Sequence, residues 1–187
     1  MGRWQPDARG RLQQAAMELY RERGYDQTTV AEIAARAGLT ERTFFRYFAD
    51  KREVLFAGSN VLEDALVAAL AEAPESAAPI DQLVAALEAA AVFFTDRDYS
   101  RQRQAVITAH PELQERELIK LASVAAALAE ALRRRGVQEP AASLTAEAGV
   151  AVFKIAFGRW IDDTADREFT DLIHESLADL KAIAAGG

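Results

Sequence analysis

The sequence contains no cysteine among its 187 residues. Disulfide bonds and thiolate metal sites are therefore excluded. It also has no run of about 18 apolar residues, so no membrane-spanning helix is expected. The first residues, MGRWQPDARGR, lack the apolar segment of a secretory signal. Together these absences predict a cytoplasmic protein with no membrane partner.

Residues typical of catalytic sites are scarce as well. The two histidines, His110 and His174, lie far apart, and neither belongs to an HExxH-like zinc motif. No glycine-rich phosphate loop is present. Asp162 and Asp163 form a carboxylate pair, but at the expected end of a helix we interpret them as surface charge. We therefore expect no enzymatic activity, no catalytic residue, no metal site and no cofactor.

Helix-forming residues dominate the rest of the sequence. Ala, Leu, Glu and Arg are frequent and alternating β-branched residues are rare, which predicts an all-α fold. Prolines and glycines separate the helical segments. We expect about nine helices: three short helices before residue 50, then helices near 51–73, 81–95, 99–109, 111–135, 144–163 and 167–184.

Charge is distributed unevenly along the chain. The first 52 residues hold ten lysines and arginines against seven acidic residues, although the whole chain has a net charge of −7. A cationic N-terminal part and an acidic remainder suggest that contact with a polyanion occurs through the N-terminal part. We expect a helix-turn-helix domain over residues 1–50 and a helical ligand-binding and dimerisation domain over residues 51–187.

The N-terminal part carries the pattern of a helix-turn-helix. Thr29 with Glu32 forms the sequence signature of a capping box, which predicts a helix start. Gly38 ends that short helix, and Thr40 caps the next one after a tight turn. Two short helices joined by a glycine-containing turn are typical of a DNA-binding motif.

The third helix has two chemically different faces. At about 100° per residue, one arc of the helix is polar and suited to a major groove, where Arg reads guanine and a Thr methyl contacts thymine. The opposite arc is apolar and is expected to pack on the preceding helices. The polar arc contains Arg42, Thr43, Arg46 and Tyr47, and the apolar arc contains Phe44, Phe45 and Phe48.

In these features the N-terminal segment resembles the TetR (tetracycline-repressor) family of transcriptional regulators. The segment that carries the resemblance is ARGRLQQAAMELYRERGYDQTTVAEIAARAGLTERTFFRYFADKREVLF. The resemblance implies a homodimer of nine-helix chains, with three helices for DNA and six for ligand binding and dimerisation. It further implies a ligand-responsive regulator, most often a repressor, that leaves a palindromic operator when an effector binds.

The resemblance also assigns roles to individual positions. Phe45 stands where many family members have a tyrosine, so the phosphate bond of that hydroxyl is lost here. Residues expected to contact DNA, through base edges or phosphates, are Thr28, Thr29, Arg42, Thr43, Arg46, Tyr47 and Lys51.

The C-terminal part is similar to the ligand domain of an actinobacterial subgroup that includes mycofactocin-type regulators. The similarity lies in the segment RQRQAVITAHPELQERELIKLASVAAALAEALRRRG. That similarity implies a small-molecule effector, with acyl-CoA thioesters as a plausible class. Apolar and polar residues at helical spacing are candidates for the ligand site or for plain core. These candidates are Phe93, Phe94, Arg103, Ile107, His110, Phe153, Phe157 and Trp160.

The last two helices have broad apolar faces that predict a homodimer. Their apolar residues exceed what one small bundle is expected to bury, so a second copy would cover the excess. These residues are Val150, Phe153, Phe157, Ile161, Phe169, Leu172, Ile173, Leu177 and Leu180.

Two other interpretations remain at this stage. One is a helical protein-interaction module without DNA binding, which the Arg42 and Arg46 face argues against. The other is a transcriptional activator of the same fold. The sequence names neither the operator nor the effector.

Overall fold

The computed structural model describes residues 8–186, which form ten α-helices and one short 3₁₀ helix at Ala91–Phe93 and contain no strand. The all-α prediction is confirmed. In chain order the helices are α1 (Ala8–Arg23), α2 (Val30–Arg36), α3 (Glu41–Tyr47), α4 (Lys51–Leu55), α5 (Ser59–Glu72), α6 (Pro79–Ala90), α7 (Arg97–Thr108), α8 (Pro111–Arg134), α9 (Ala141–Asp162) and α10 (Phe169–Ala184).

The extra helix arises where one long helix was expected over 51–73. The chain leaves the helix after Leu55 and starts a new one at Ser59. Gly58 lies between them with a φ of +98°, in the left-handed region that favours glycine. This single glycine divides the expected helix into α4 and α5.

The chain folds as two compact units. The first ends at Gly58 and also includes Gln102–Gln114, and the second comprises Ser59–Arg101 and the chain from Glu115 onward. Helices α7 and α8 each contribute residues to both units. The division into functional domains at residues 50 and 51 stays a prediction.

The first unit is built around a small apolar core. Leu12 and Leu19 of α1, Ile33 of α2 and Phe44 of α3 are among its fully buried side chains. Arg11 adds a polar tie, because its guanidinium donates to the carbonyl oxygens of Ala37 and Gly38 at the end of α2. These carbonyls have no partner within the helix. Arg11 therefore holds the α2–α3 turn against α1.

The second unit has a larger apolar core in which α9 packs against α6 and α10. At Gly149 of α9, helices α6 and α9 come so close that an added Cβ would lie 2.1 Å from Leu83 Cδ2. Of the helices in the described residues, α9 is the one that combines the length and the apolar content needed to cross a membrane. In this structure it packs against α6 and α10.

The apolar residues that suggested a homodimer are divided between the core and its edge. Phe153, Phe157 and Leu180 are half-buried against the core of the second unit, and the homodimer stays a prediction. Residues expected to need a second copy, but found buried in this core, are Val150, Ile161, Phe169, Leu172, Ile173 and Leu177.

Candidate nucleic-acid interface and ligand region

The helix-turn-helix is fixed by local hydrogen bonds at each helix start. The Glu32 backbone N–H donates to the Thr29 hydroxyl at 3.2 Å, and the Thr29 backbone N–H donates to the Glu32 carboxylate at 2.9 Å. The Thr29 backbone N–H and hydroxyl both donate to the Glu32 carboxylate, and these two bonds hold the pKa of Glu32 below its ordinary value. At α3 the Thr43 backbone N–H donates to the Thr40 hydroxyl at 3.2 Å. The two predicted caps are therefore present, and they set the direction of α2 and α3.

Helix α3 presents most of its polar side chains to solvent. Arg42 and Arg46 are exposed, and Tyr47 is 40% exposed. Arg46 Nη2 donates to the Tyr47 hydroxyl at 3.2 Å, and its guanidinium carbon lies 4.9 Å from the centre of the Tyr47 ring. Thr43 is half-buried, with its hydroxyl 3.1 Å from that of Thr40. The surface of α3 thus offers guanidinium and phenol donors side by side.

The prediction that Phe45 packs on the preceding helices with the apolar arc of α3 was wrong. Phe44 and Phe48 are buried as expected, at 0% and 4% exposure, but Phe45 is 55% exposed. The Phe45 ring meets the Phe44 ring edge-on, with centres 5.5 Å apart. In a helix of only seven residues the angle at which α1 and α2 approach decides which flank is covered, and periodicity alone misses this.

Thr28 lies in an environment different from that of Thr29. The Thr28 side chain is buried, at 1% exposure, and its hydroxyl donates to the Gly24 carbonyl at 2.8 Å. Thr29 is exposed, but its hydroxyl lies in the capping box with Glu32. Both hydroxyls therefore have partners within the first unit.

Lys51 holds the turn between α1 and α2. Its Nζ donates to the carbonyl oxygens of Tyr25 at 2.8 Å, Thr28 at 3.0 Å and Asp26 at 3.3 Å. The same ammonium lies 4.3 Å from the centre of the Tyr25 ring. Its three N–H donors are thus directed at backbone carbonyls rather than outward. The Tyr20 hydroxyl completes the arrangement by donating to the Lys51 carbonyl at 2.8 Å.

Three of the predicted ligand residues lie in the first unit. Arg103 Nε donates to the Leu55 carbonyl at 2.6 Å, and Ile107 is fully buried. His110 packs on Tyr25 with ring centres 4.9 Å apart, and its Nε2 lies 3.7 Å from Asp26 Oδ2. Burial and neighbouring carboxylates raise the pKa of Tyr25 to about 12.

The other five predicted ligand residues belong to the second unit. Phe94 is the centre of a ring cluster, 5.5 Å from Phe153, 5.6 Å from Phe157 and 6.4 Å from Trp160. Phe94, Phe153 and Phe157 are half-buried, whereas Trp160 is buried and Phe93 is 48% exposed. The structure thus places the eight predicted residues in two separate groups of three and five.

Phe169 was missed as a member of the ring cluster. It lies 5.2 Å from Phe94 and 5.4 Å from Trp160, ring centre to ring centre. The sequence offered only its place at the start of an amphipathic helix. Its partners follow from how α10 folds back on α9, which no local pattern records.

The arginines of α7 bind protein carbonyls. Arg97 Nη2 donates to the Arg167 carbonyl at 2.5 Å, and Arg101 Nε donates to the Ile161 carbonyl at 2.6 Å. Asp163 orders the adjoining loop by accepting from the Arg167 backbone N–H at 3.0 Å and from its guanidinium, and these bonds lower the pKa of Asp163. Residues 8–186 contain no group of three or more His, Asp or Glu side chains able to hold a metal ion.

Family models match both parts of the chain. Residues 12–57 match the model described as bacterial regulatory proteins of the tetR family, and residues 77–185 match the model described as the MftR C-terminal domain. Among curated proteins, the HTH-type transcriptional regulator TcmR of Streptomyces glaucescens is 37% identical over 81 residues. That match spans 43% of this chain and 36% of the length of TcmR.

Solved structures with the same fold are also similar. FadR of Thermus thermophilus, a TetR family repressor in complex with lauroyl-CoA, is 27% identical with a TM-score of 0.55 over 91% of each chain. SmeT of Stenotrophomonas maltophilia, the repressor of the SmeDEF efflux pump, was solved with triclosan. In that complex it is 19% identical with a TM-score of 0.60, over 93% of this chain and 91% of SmeT.

The capped helix-turn-helix, the all-α architecture and the two family models agree over most of the sequence. The chain belongs to the TetR family of bacterial transcriptional regulators, with a C-terminal domain of the MftR type.

Proposed function

We propose that this regulator is a cytoplasmic repressor that binds a palindromic operator as a homodimer and leaves it when a small-molecule effector binds. The observation that carries the proposal is the surface of α3, where Arg42, Arg46 and Tyr47 are exposed while Phe44 anchors the helix in the core. A short helix held in this way can enter a major groove without losing its own packing.

Arg42 and Arg46 are the proposed base-reading residues. A guanidinium can donate two parallel hydrogen bonds to O6 and N7 of guanine, which is the commonest specific contact in the major groove. Tyr47 and Thr43 are proposed to complete this surface, with Tyr47 orienting Arg46 through their 3.2 Å hydrogen bond. Thr29, exposed at the start of α2, is proposed to lie near a phosphate.

Lys51 and Thr28 are proposed to act by positioning rather than by direct phosphate contact. The Lys51 ammonium is surrounded by the carbonyls of the α1–α2 turn, and Thr28 is buried beneath them. Both residues would fix the position of α2 and thus the depth at which α3 enters the groove. This proposed role is an alternative to the phosphate contacts that the family resemblance implies.

The homodimer is proposed to form through α9 and α10. Although most of their apolar residues are in the core, Leu144 and Ile155 on α9 remain 66% and 60% exposed, and Ile183 on α10 is 75% exposed. Large exposed apolar side chains on two adjacent helices favour pairing with a second copy. A two-fold dimer would place two α3 helices about 34–36 Å apart, or at a multiple of that distance.

The effector is proposed to bind beside the ring cluster of the second unit, and an acyl-CoA is the proposed class. The half-buried rings of Phe94, Phe153 and Phe157 offer an apolar surface suited to an acyl chain. The likeness to FadR in complex with lauroyl-CoA supports this class. Mass spectrometry of material that co-purifies with the protein, followed by operator release with the identified compound, tests it.

Selection of bound genomic fragments, followed by gel-shift titration, tests DNA binding. Arg46→Ala should lower operator affinity by about 5- to 150-fold and relax the preference at one base position in each half-site. The matched control is Arg133→Ala, which removes an exposed arginine paired with Glu130 and Glu139 in the second unit. Its affinity should equal that of the wild type. Failure of the wild-type protein to bind any fragment would refute the proposal.

A further inference from the structure

The exposed ring of Phe45 is unusual on a helix that carries the proposed base-reading arginines. The ring is 55% exposed, and it lies three residues from Arg42, on the neighbouring position of the same helix face. It cannot accept or donate a conventional hydrogen bond. A surface proposed to enter a groove lined with polar base edges thus includes one large apolar group.

The chemistry of the major groove offers such a ring one apolar partner. The edges of adenine, guanine and cytosine present hydrogen-bond donors and acceptors, whereas thymine adds a C5-methyl group. A phosphate is charged and hydrated, so contact with an apolar ring would remove water without replacing its hydrogen bonds. The distribution of polar and apolar atoms therefore favours a thymine methyl over the backbone.

We propose that Phe45 is a specificity-determining residue that packs against the C5-methyl group of a thymine in each half-site of the operator. This inference rests on the proposed DNA binding and names one base that the site reads. Arg42 and Arg46 hold α3 in the groove, and the edge-on contact with buried Phe44 fixes the position of the Phe45 ring. This contact between ring and methyl group makes thymine preferred over cytosine at that position.

The test removes the methyl group from the DNA and the ring from the protein. Each thymine of the selected operator is replaced in turn by deoxyuridine, which lacks only the C5-methyl group, and dissociation constants are measured by fluorescence anisotropy. For the wild-type chain, replacing one particular thymine in each half-site by deoxyuridine should weaken duplex binding about four-fold, the factor expected from one buried methyl group. For Phe45→Ala that loss should disappear, while the unmodified operator binds the variant more weakly.

Tyr47→Phe serves as the matched control, because Tyr47 is the other exposed aromatic residue of α3. It should keep the deoxyuridine penalty at the same position. Circular dichroism melting confirms that Phe45→Ala folds, as expected for an exposed side chain.

Three outcomes would overturn the inference. Phe45→Ala could bind with unchanged affinity, or it could weaken operator and deoxyuridine duplexes equally at every position, as a backbone contact would. The wild-type chain could also show no deoxyuridine penalty at any thymine. These results leave DNA binding intact and so differ from a failure of the proposed function, in which the wild-type chain binds no duplex.

Discussion

Both units of the molecule have an apolar core, but their side-chain bonds to backbone carbonyls lie at different places. In the first unit, charged and phenolic side chains tie the backbone of the turns: Arg11 bonds the end of α2, and Lys51 bonds three carbonyls of the α1–α2 turn. In the second unit, α6, α9 and α10 are joined by apolar packing and by the ring cluster around Phe94, and arginines of α7 bond carbonyls at the end of α9 and in the loop that follows it.

This difference suits two different tasks. Hydrogen bonds to backbone groups are directional, so they fix α2 and α3 in the geometry that a DNA duplex requires. Apolar packing depends mainly on volume and shape, and it tolerates substitution when total volume is kept. A ligand region can therefore change its lining while the helix-turn-helix stays constant.

Phe44 and Phe45 separate core packing from surface function within α3. Phe44→Ala should lower the free energy of unfolding of the first unit by about 3–5 kcal/mol, because it leaves a cavity at a fully buried site. Phe45→Ala should change it by no more than about 0.5 kcal/mol. Hydrogen-exchange protection of α1–α3 measures both values. Equal losses for the two variants would mean that Phe45 is part of the core.

Lys51→Met tests whether the first unit depends on ties to its backbone. The variant keeps an unbranched side chain that is one atom shorter, but it leaves the carbonyls of Tyr25 and Thr28 without their cation, and it should destabilise this unit by about 1–3 kcal/mol. Affinity for all duplexes should fall together, while the dependence of affinity on salt stays unchanged. A salt slope reduced by about one would instead identify Lys51 as a phosphate contact.

Gly149→Ala tests whether the second unit depends on close packing. In the wild-type background the new methyl group meets Leu83 and should destabilise the unit by about 1 kcal/mol after the gain in helix propensity is included. In a Leu83→Ala background the same change should stabilise it, because the methyl group fills vacated space. Urea unfolding measures the change in unfolding free energy caused by Gly149→Ala in each background. A change of the same sign in both backgrounds would show that contact with Leu83 does not limit this position.

Asp50→Asn has the smallest expected effect and concerns acid pH. Bonds from the Arg52 side chain and from the backbone N–H groups of Arg52 and Glu53 hold the pKa of Asp50 below its ordinary value. Because this carboxyl is more acidic when folded, its stabilisation is complete at neutral pH and is lost as the pH falls through its folded pKa.

The variant should be less stable than the wild type by about 0.3–1 kcal/mol at neutral pH, the usual value of an acidic group at a helix start. The difference should vanish in strongly acid solution. Urea midpoints measured across this pH range give the result, and a difference that persists in acid would contradict it.

Sequence reasoning succeeded where the determining contact is local. The starts of α2 and α3 could be predicted because the Thr29 and Thr40 side chains bond backbone groups three residues away. The glycine turn between these helices was predicted from a local pattern as well. These signals require no knowledge of how distant segments meet.

It could not reach contacts whose partner is distant in the chain. The carbonyl partners of Lys51 lie more than 20 residues earlier, where no local pattern indicates them, and the phosphate contact implied by the family resemblance stays a prediction. The assignment of Arg103, His110 and Phe153 to one ligand site also stays a prediction, and the three belong to different units. Phe45 was assigned to the core because helical periodicity gives the direction of a side chain around the helix axis. It does not say whether the neighbouring helices extend far enough to cover that side chain.

Operator binding by the wild type and by Arg42→Ala/Arg46→Ala, measured over a range of salt concentrations, tests whether the exposed face of α3 binds DNA. For the wild type, the logarithm of the association constant should fall linearly with the logarithm of salt concentration, with a slope of about −0.9 for each phosphate contact. The double variant should lose the preference for the operator over a shuffled duplex and retain only weak, salt-sensitive binding. Equal operator preference in the two proteins would contradict the account.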